Sequence, residues 1–562
     1  MSSETKICAN CQQSFIIEPD DFNFYEKISV PAPMWCPKCR FQRRMSWRNG
    51  WHLFKRKDSR TGEEIFSLFP QESPVTVYDR DFWWSDGWDP MEFGQEYDSS
   101  RPFFEQFRDL LYRVPLPSHL VTNLVNCRYC TNASDCKNCY LVRGATYTED
   151  SAYIYWDTGS RQCLDSHMTT KCELGYGNVN TEKCYRTFFS TDCDDCTNNM
   201  FCSDCVGCND CLGCFGLRSK SYCIFNEPYS KEEYKKKIED MDLGSQANFE
   251  KLKKQAYAFW ATKPHKFMHG LRNVVSSGDY VYESKNAKKC YRVRGMEDSK
   301  YCQNILEKSA KDCWDYSNFG EGAELCYETL ISGRGASNIK FCSQVYINVK
   351  NIEYSIFCHN SSDLFGCVSL RDKQYCIMNK QYDKETYEKL RSKIIEQMRK
   401  AGEYGEFFPP QYSYFPYYIS EANEFFPMSE QEAKSKGFNW YEITRQKHTA
   451  DLSARDLPDH ISDATDVLLR QVIGCEHEGT CAQECTGAFR IIADELAFLK
   501  RMSLPLPRLC PNCRHYERLT LRNPPKFYNR TCAKCNAEFE TSYAPERQEI
   551  IYCERCYQQE VI

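Results

Sequence analysis

"CSDCVGCNDCLGC", residues 202–214, places a cysteine at every third position: Cys202, Cys205, Cys208, Cys211 and Cys214. Such a run admits three readings: a metal cluster, a disulfide knot, or a stack of small buried side chains. Cys-x-x-Cys serves a zinc knuckle and an oxidised scaffold equally well, so the surrounding sequence has to decide. A longer step runs through the same region. Cys184, Cys193, Cys202 and Cys211 recur every nine residues, as do Cys196, Cys205, Cys214 and Cys223, and later Cys358, Cys367 and Cys376. Short steps rich in Asn, Asp, Gly, Ser and Tyr, with no helical periodicity, predict a strand-turn β-solenoid. Nine residues would be half of a coil of about 18.

The region is also duplicated. "DCLGCFGLRSKSYCIFNEPYSKEEYKK" from 210 matches "DLFGCVSLRDKQYCIMNKQYDKETYEK" from 363, and "CYLVRG" from 139 matches "CYRVRG" from 290. At the first of these offsets Cys205, Cys214 and Cys223 keep their cysteines as Cys358, Cys367 and Cys376. Cys193, Cys196, Cys202, Cys208 and Cys211 instead face Tyr346, Val349, Ser355, Ser361 and Leu364. Tyr, Val and Leu hold no zinc in a structural site, so these positions read as small, buried, weakly polar side chains. The three retained cysteines are expected to form an interior ladder, one rung per step. Extra zinc is the competing reading, and its best subset is Cys127, Cys130, Cys136 and Cys139. An iron–sulfur cluster is disfavoured because the Cys-x3-Cys-Pro ending is missing.

At 562 residues the chain can bury several cores without covalent staples. Its start, "MSSETKICANC", lacks the apolar run of a signal peptide, and no stretch of about 18 apolar residues could span a membrane. The expectation is a cytoplasmic protein with its 36 cysteines reduced or metal-bound. The formal net charge is −6, with both signs well mixed, so nucleic-acid contact would have to be local.

The two ends repeat each other. Cys8-x2-Cys11 and Cys36-x2-Cys39 enclose 24 residues; Cys481-x3-Cys485 and Cys510-x2-Cys513 also enclose 24, and adding 474 maps one copy onto the other without a gap. Phe15/Phe489, Asp20/Asp494, Pro31/Pro505, Pro37/Pro511 and Arg40/Arg514 are identical pairs. Two knuckles across a hairpin-length insert supply four thiolates for a closed tetrahedral Zn2+ site. The outermost ligand differs between copies: Cys8 maps onto Ala482, Cys481 lies one residue further out, and Cys475 and His477 stand nearby. The C-terminal copy continues into a further ribbon, Cys532-x2-Cys535 and Cys553-x2-Cys556. The N-terminal copy there reads Asp58, Thr61, Asp79 and Phe82, so the fold is expected to persist with packing in place of metal. Three structural zinc ions follow.

The run Cys-x2-Cys, a Phe, "DDFNFYEK", a Pro and "CPKCR" resembles the zinc-ribbon, treble-clef domain of uncharacterised bacterial proteins. The resemblance covers about 45 residues at each end and implies zinc binding and a treble-clef fold, with no particular activity. The fold class expected is therefore mixed and β-rich: treble-clef/zinc-ribbon modules at both ends flanking a duplicated Cys-rich β-solenoid with short helices. The expected divisions are 1–83, module with a degenerate ribbon; 84–126, connector; 127–275 and 276–402, solenoid halves each ending in a helix; 403–474, aromatic and Pro-rich connector with an amphipathic helix over 456–473; and 475–562, module with ribbon. Ser230 with Glu233, Asp383, and Ser429 with Glu432 mark helix starts.

Arg40, Arg44 and Arg48, and their counterparts Arg514, Arg518 and Arg522, lie four apart on one helix face. They suit phosphate contact, or a solvated face paired with local acids. No catalytic constellation stands out: the ten histidines are scattered and no Gly-rich phosphate loop is present. The first functional reading is a non-enzymatic scaffold or interaction protein with a protein partner or complex. The second is a nucleic-acid or ribosome-associated protein using the Arg stripes. A weaker third is a thiol redox or metal store. No membrane contact is expected, and oligomeric state is not readable from these patterns.

Overall fold

A computed structural model describes residues 2–169, 172–305, 310–320, 322–333, 335–444, 448–481 and 483–561. The period of three in the opening run is the period of its architecture. Parallel bridges join Val125 to Lys137, Arg128 to Tyr140 and Thr131 to Arg143, and Ser134 to Thr146. Four bridges three residues apart therefore complete one turn of chain, and the next turn lies twelve residues on. Each triplet has an inward residue, a bridging residue and a corner in the left-handed region: Cys202 points in, Ser203 bridges to Phe215, and Asp204 turns the corner at φ 52°. Every cysteine of the quoted run is inward and 0% exposed.

Turns of twelve correct the expected coil of about 18, and they explain the nine-residue step. An inward thiol donates to carbonyls on its own turn and on the next, as Cys202 does to Met200 at 3.5 Å and to Cys211 at 3.4 Å. Cys214 does the same to Leu212 and Cys223, both at 3.4 Å. Positions nine apart sit on neighbouring sides of successive turns. Cys205, Cys214 and Cys223 are thus interior, but they are not one column. The vertical stack steps by twelve, placing Cys214 on Cys202 and Cys223 on Cys211.

A left-handed corner costs an ordinary residue roughly 1 kcal/mol or more, and Asn, Asp and Gly tolerate it best. Side chains at these corners also stack: Asn126 donates to Asn138 at 3.0 Å, and Asn138 to Asp150 at 2.8 Å. That is the origin of the Asn and Asp enrichment.

The second ladder forms a 13-stranded sheet. Its register is twelve at Gly278↔Cys290, fourteen at Gln303↔Ser317, thirteen at Trp314↔Tyr327, and twelve again at Lys350↔Ser362. These changes of turn length produce the irregular cysteine spacing of this half. The final turns of the two ladders share one register, with Cys211 on Cys223 and Leu364 on Cys376. Helices Lys231–Asp240 and Lys384–Lys400 follow, the first with a Ser230/Glu233 capping box and the second capped by Asp383.

The terminal modules superpose in element order. Helices Pro19–Lys27 and Pro37–Met45 correspond to Ala493–Met502 and Pro511–Thr520. Hairpin Phe54–Lys57/Glu64–Ser67 corresponds to Tyr528–Thr531/Glu538–Thr541. Residues 403–440 pack aromatic side chains against module and ladder: Trp47 meets Phe408 at 5.2 Å, and the Gly405 N–H donates to the Tyr354 hydroxyl at 2.9 Å. The amphipathic helix expected over 456–473 does not form. Short 3-10 turns at Ala454–Asp456, Ile461–Asp463 and Asp466–Arg470 replace it. Pro458 interrupts the run, and its backbone bonds outward instead, the Ile461 N–H to Gly244 at 3.0 Å.

Candidate metal centres

Three cysteine quartets gather their sulfurs within 4.8 Å of one another: Cys8/Cys11/Cys36/Cys39, Cys475/Cys485/Cys510/Cys513 and Cys532/Cys535/Cys553/Cys556. A tetrahedron with metal–sulfur bonds of about 2.3 Å has an edge of about 3.8 Å. Cys11–Cys36 measures 3.8 Å, Cys475–Cys513 3.9 Å, Cys485–Cys510 3.9 Å and Cys535–Cys553 3.7 Å. Each quartet is of the right size for a metal ion held by four thiolates.

The three share one local device. The residue opening the second knuckle donates its backbone N–H to the first sulfur: Cys36 to Cys8 at 3.2 Å, Cys510 to Cys475 at 3.2 Å, and Cys553 to Cys532 at 3.3 Å. Cys36 and Cys510 also cap helices, with proline following, so the positive helix end faces the thiolates. The Cys39 thiol bonded to it pulls Cys36 down to about 5 despite burial. Burial raises Cys532, but the N–H groups of Cys553, Cys535 and Lys534 outweigh it and bring it to about 6.

The second quartet corrects the sequence assignment. Cys475, not Cys481, takes the place of Cys8. Its N–H bonds to Gly487 at 2.9 Å, as that of Cys8 bonds to Gln13 at 2.9 Å. The knuckle is Cys475-x9-Cys485, with a longer loop that a gapless alignment cannot see. Cys481 stands on that loop, 3.6 Å from the Cys513 sulfur, in a separate group with His477 and Cys513. Ala482 lies outside the described residues.

At the degenerate ribbon, hydrogen bonds stand where ligands would be. Buried Asp58 accepts from the Arg60 N–H at 2.9 Å and from the Thr61 hydroxyl at 3.1 Å, and Asp79 caps a short helix through the Asp81 and Phe82 N–H groups. Arg60 lies 3.8 Å over the Phe82 ring, closing the space between the former knuckles. Trp83 beside them is 0% exposed.

Cys127, Cys130, Cys136 and Cys139 are not gathered into a quartet among the described residues. They occupy inward ladder positions and donate to carbonyls, Cys136 to Ser134 at 3.2 Å and Cys139 to Thr148 at 3.3 Å. Inward positions on successive sides point to different carbonyls, so four donors do not converge.

The arginine stripes face inward. Arg40, Arg44 and Arg48 are 1%, 0% and 4% exposed, and Arg514, Arg518 and Arg522 are each 6% exposed. Arg40 and Arg44 both bind Asp315, at 2.8 and 3.1 Å, and Arg48 binds Glu421 at 2.6 Å. Arg514 and Arg518 both bind Asp165, at 2.6 and 3.1 Å, and Arg522 meets His167 at 2.8 Å. Neither phosphate contact nor a solvated face describes them: they are pins that dock each module on a ladder. Arg514 also holds Glu495 of its own module at 2.7 Å, but Asp315, Glu421 and Asp165 lie hundreds of residues from the arginines they bind and left no local signal in the sequence.

No family profile matches the chain, and no curated protein does. Among solved structures, the crystal structure of a Desulfovibrio desulfuricans G20 protein assigned as an acetyltransferase aligns with 50% of this chain and 82% of its own at 10% identity and a TM-score of 0.12. Among the described residues no helix is long and apolar enough to cross a membrane.

Proposed function

We propose that the chain is a non-enzymatic, zinc-binding scaffold of treble-clef and zinc-ribbon modules clamped onto a duplicated β-solenoid, which offers its outer faces to a protein partner in the cytoplasm. The observation that carries this reading is the burial of both arginine stripes: the most ligand-like cations in the sequence are spent inside the molecule, on docking. The quartets support it too, since four thiolates leave a zinc ion no open position for a substrate. The 36 cysteines, none of them in a disulfide, suit a reducing compartment. Ladders of this kind commonly serve as elongated binding surfaces.

Elemental analysis of metal-replete protein should return three zinc ions per chain. A photo-crosslinking residue at Tyr147, 61% exposed on a ladder corner, should trap a discrete protein adduct in cells. A nuclease-sensitive adduct, or none from any exposed ladder corner, would overturn the scaffold reading.

A further inference from the structure

The two ladders face each other across a cleft of about 980 Å³. One wall is a corner column, Trp156, Met168, Asn180, Asp192 and Asp204, at steps of twelve residues; the other carries Tyr282, Arg292 and Arg294. A salt bridge from Arg294 to Glu182, 2.8 Å, ties the walls together. Two further cations of the lining have acids: Arg218 holds Asp204 at 3.2 Å and Lys266 holds Glu554 at 2.8 Å.

Arg292 has none. It is 1% exposed, its Nε and Nη2 have no hydrogen-bond partner among the described residues, and the Trp156 ring lies 5.9 Å from its guanidinium. Burial and the neighbouring Arg522 pull its guanidinium down to about 10. Glu424, the acid whose field reaches it, is engaged elsewhere: it accepts from the Tyr155 hydroxyl at 3.2 Å and also faces Arg522 and Arg48. A buried cation without a partner is costly, and a guanidinium fork accepts carboxylate or phosphate in two parallel hydrogen bonds.

We propose that this cleft binds a small organic anion, its carboxylate or phosphate seated on Arg292 and a flat ring lying against Trp156 and Tyr282. The site is distinct from the metal centres and independent of the scaffold reading. It would make the junction between the two ladders responsive to a ligand.

Titration calorimetry on the full-length, metal-replete protein, with benzoate, phenyl phosphate and inorganic phosphate as probes, tests this. One ring-bearing anion should bind per chain, at least tenfold more tightly than inorganic phosphate. Arg292→Gln should weaken it at least tenfold and Trp156→Ala should remove the advantage of the ring, while Arg272→Gln, on the 75% exposed rim, should change affinity less than twofold. If Arg292→Gln does not fold, Arg292→Lys keeps the charge and loses the fork, and should still weaken binding at least threefold. No binding of any probe by the native protein, or unchanged affinity in the Arg292 variant that folds, overturns the proposal.

Discussion

Cys211 shows how far one residue's environment can be specified. Its thiol points inward, 0% exposed, and bonds to the Asn209 carbonyl at 3.4 Å. Its strand pairs with the next in the register that Leu364, also 0% exposed, adopts in the second ladder. The protein therefore already places leucine in this environment once. Cys211→Leu enlarges a packed position and should cost about 1–3 kcal/mol, and should leave metal content unchanged; loss of a metal ion from this variant would return the quoted run to the metal-site reading. Asp157 is the opposite case, a carboxylate inside the ladder. Burial raises it to about 6, against hydrogen bonds from Ser160 (2.7 Å) and Thr148 (3.0 Å). A raised carboxyl pKa means that folding favours the protonated form. Its penalty is absent below about pH 4, grows as pH rises through 6, and is constant above. By linkage that amounts to about 2–3 kcal/mol. Chemical-denaturation curves from pH 4 to 7 should show the wild type losing stability relative to Asp157→Asn over that interval; parallel profiles would show that the buried carboxyl titrates normally.

At the scale of elements, the longer knuckle makes a sharp test. Cys475→Ser should release one metal ion and expose helix Pro511–Thr520 to proteolysis, whereas Cys481→Ser should keep all three ions; the reverse result would place Cys481 in the tetrahedron. The docking helices invite another. Arg44 is 0% exposed between Asp315 and Glu328, at 3.1 and 3.7 Å. Arg44→Ala leaves Asp315 to Arg40 and Glu328 to Arg43, so it removes one cation from a buried network and should cost about 1–3 kcal/mol. Adding Asp315→Asn should recover part of that loss, which a double-mutant cycle measures; strict additivity would mean that the pair is not coupled. These elements also show what was legible in sequence. Knuckles, caps and duplications are local or self-similar patterns, and they located the quartets at Cys8 and Cys532, the capping boxes, and the inward placement of the middle cysteines. The turn length was hidden because cysteine marks the nine-residue hydrogen-bond step and not the twelve-residue stack. The arginines were misjudged because amphipathic spacing reports that a helix has a charged face and carries no information on which acids meet it.

For the whole molecule, the modules dock crosswise. The N-terminal module is pinned to the second ladder through Asp315, with Tyr301 5.4 Å beneath Arg40; the C-terminal module is pinned to the first through Asp165, with Tyr153 4.7 Å beneath Arg514. Tyr301 and Asp315, like Tyr153 and Asp165, are left-handed corners on successive turns, so one docking solution is used twice. The modules also meet each other: Trp51 stacks on His515 at 4.0 Å and donates to Asn512 at 2.9 Å. Metal removal separates the contributions of clamp and ladder. Structural zinc contributes on the order of 10–16 kcal/mol to a small site, comparable to the stability of a whole domain. A chelator should therefore melt helices Pro37–Met45 and Pro511–Thr520, whose N-cap residues Cys36 and Cys510 belong to the quartets. Among the described residues, the ladder turns from 125 to 224 are closed by turn-to-turn backbone bonds, and their cysteines form no metal-ligand group. Hydrogen exchange of chelated protein should show lost protection at 37–45 and 511–520, with amides of 202–214 still protected. If the ladder amides exchange together with the modules, the crossed clamp is what keeps the turns stacked, and the cysteine interior is too weak to stand on its own.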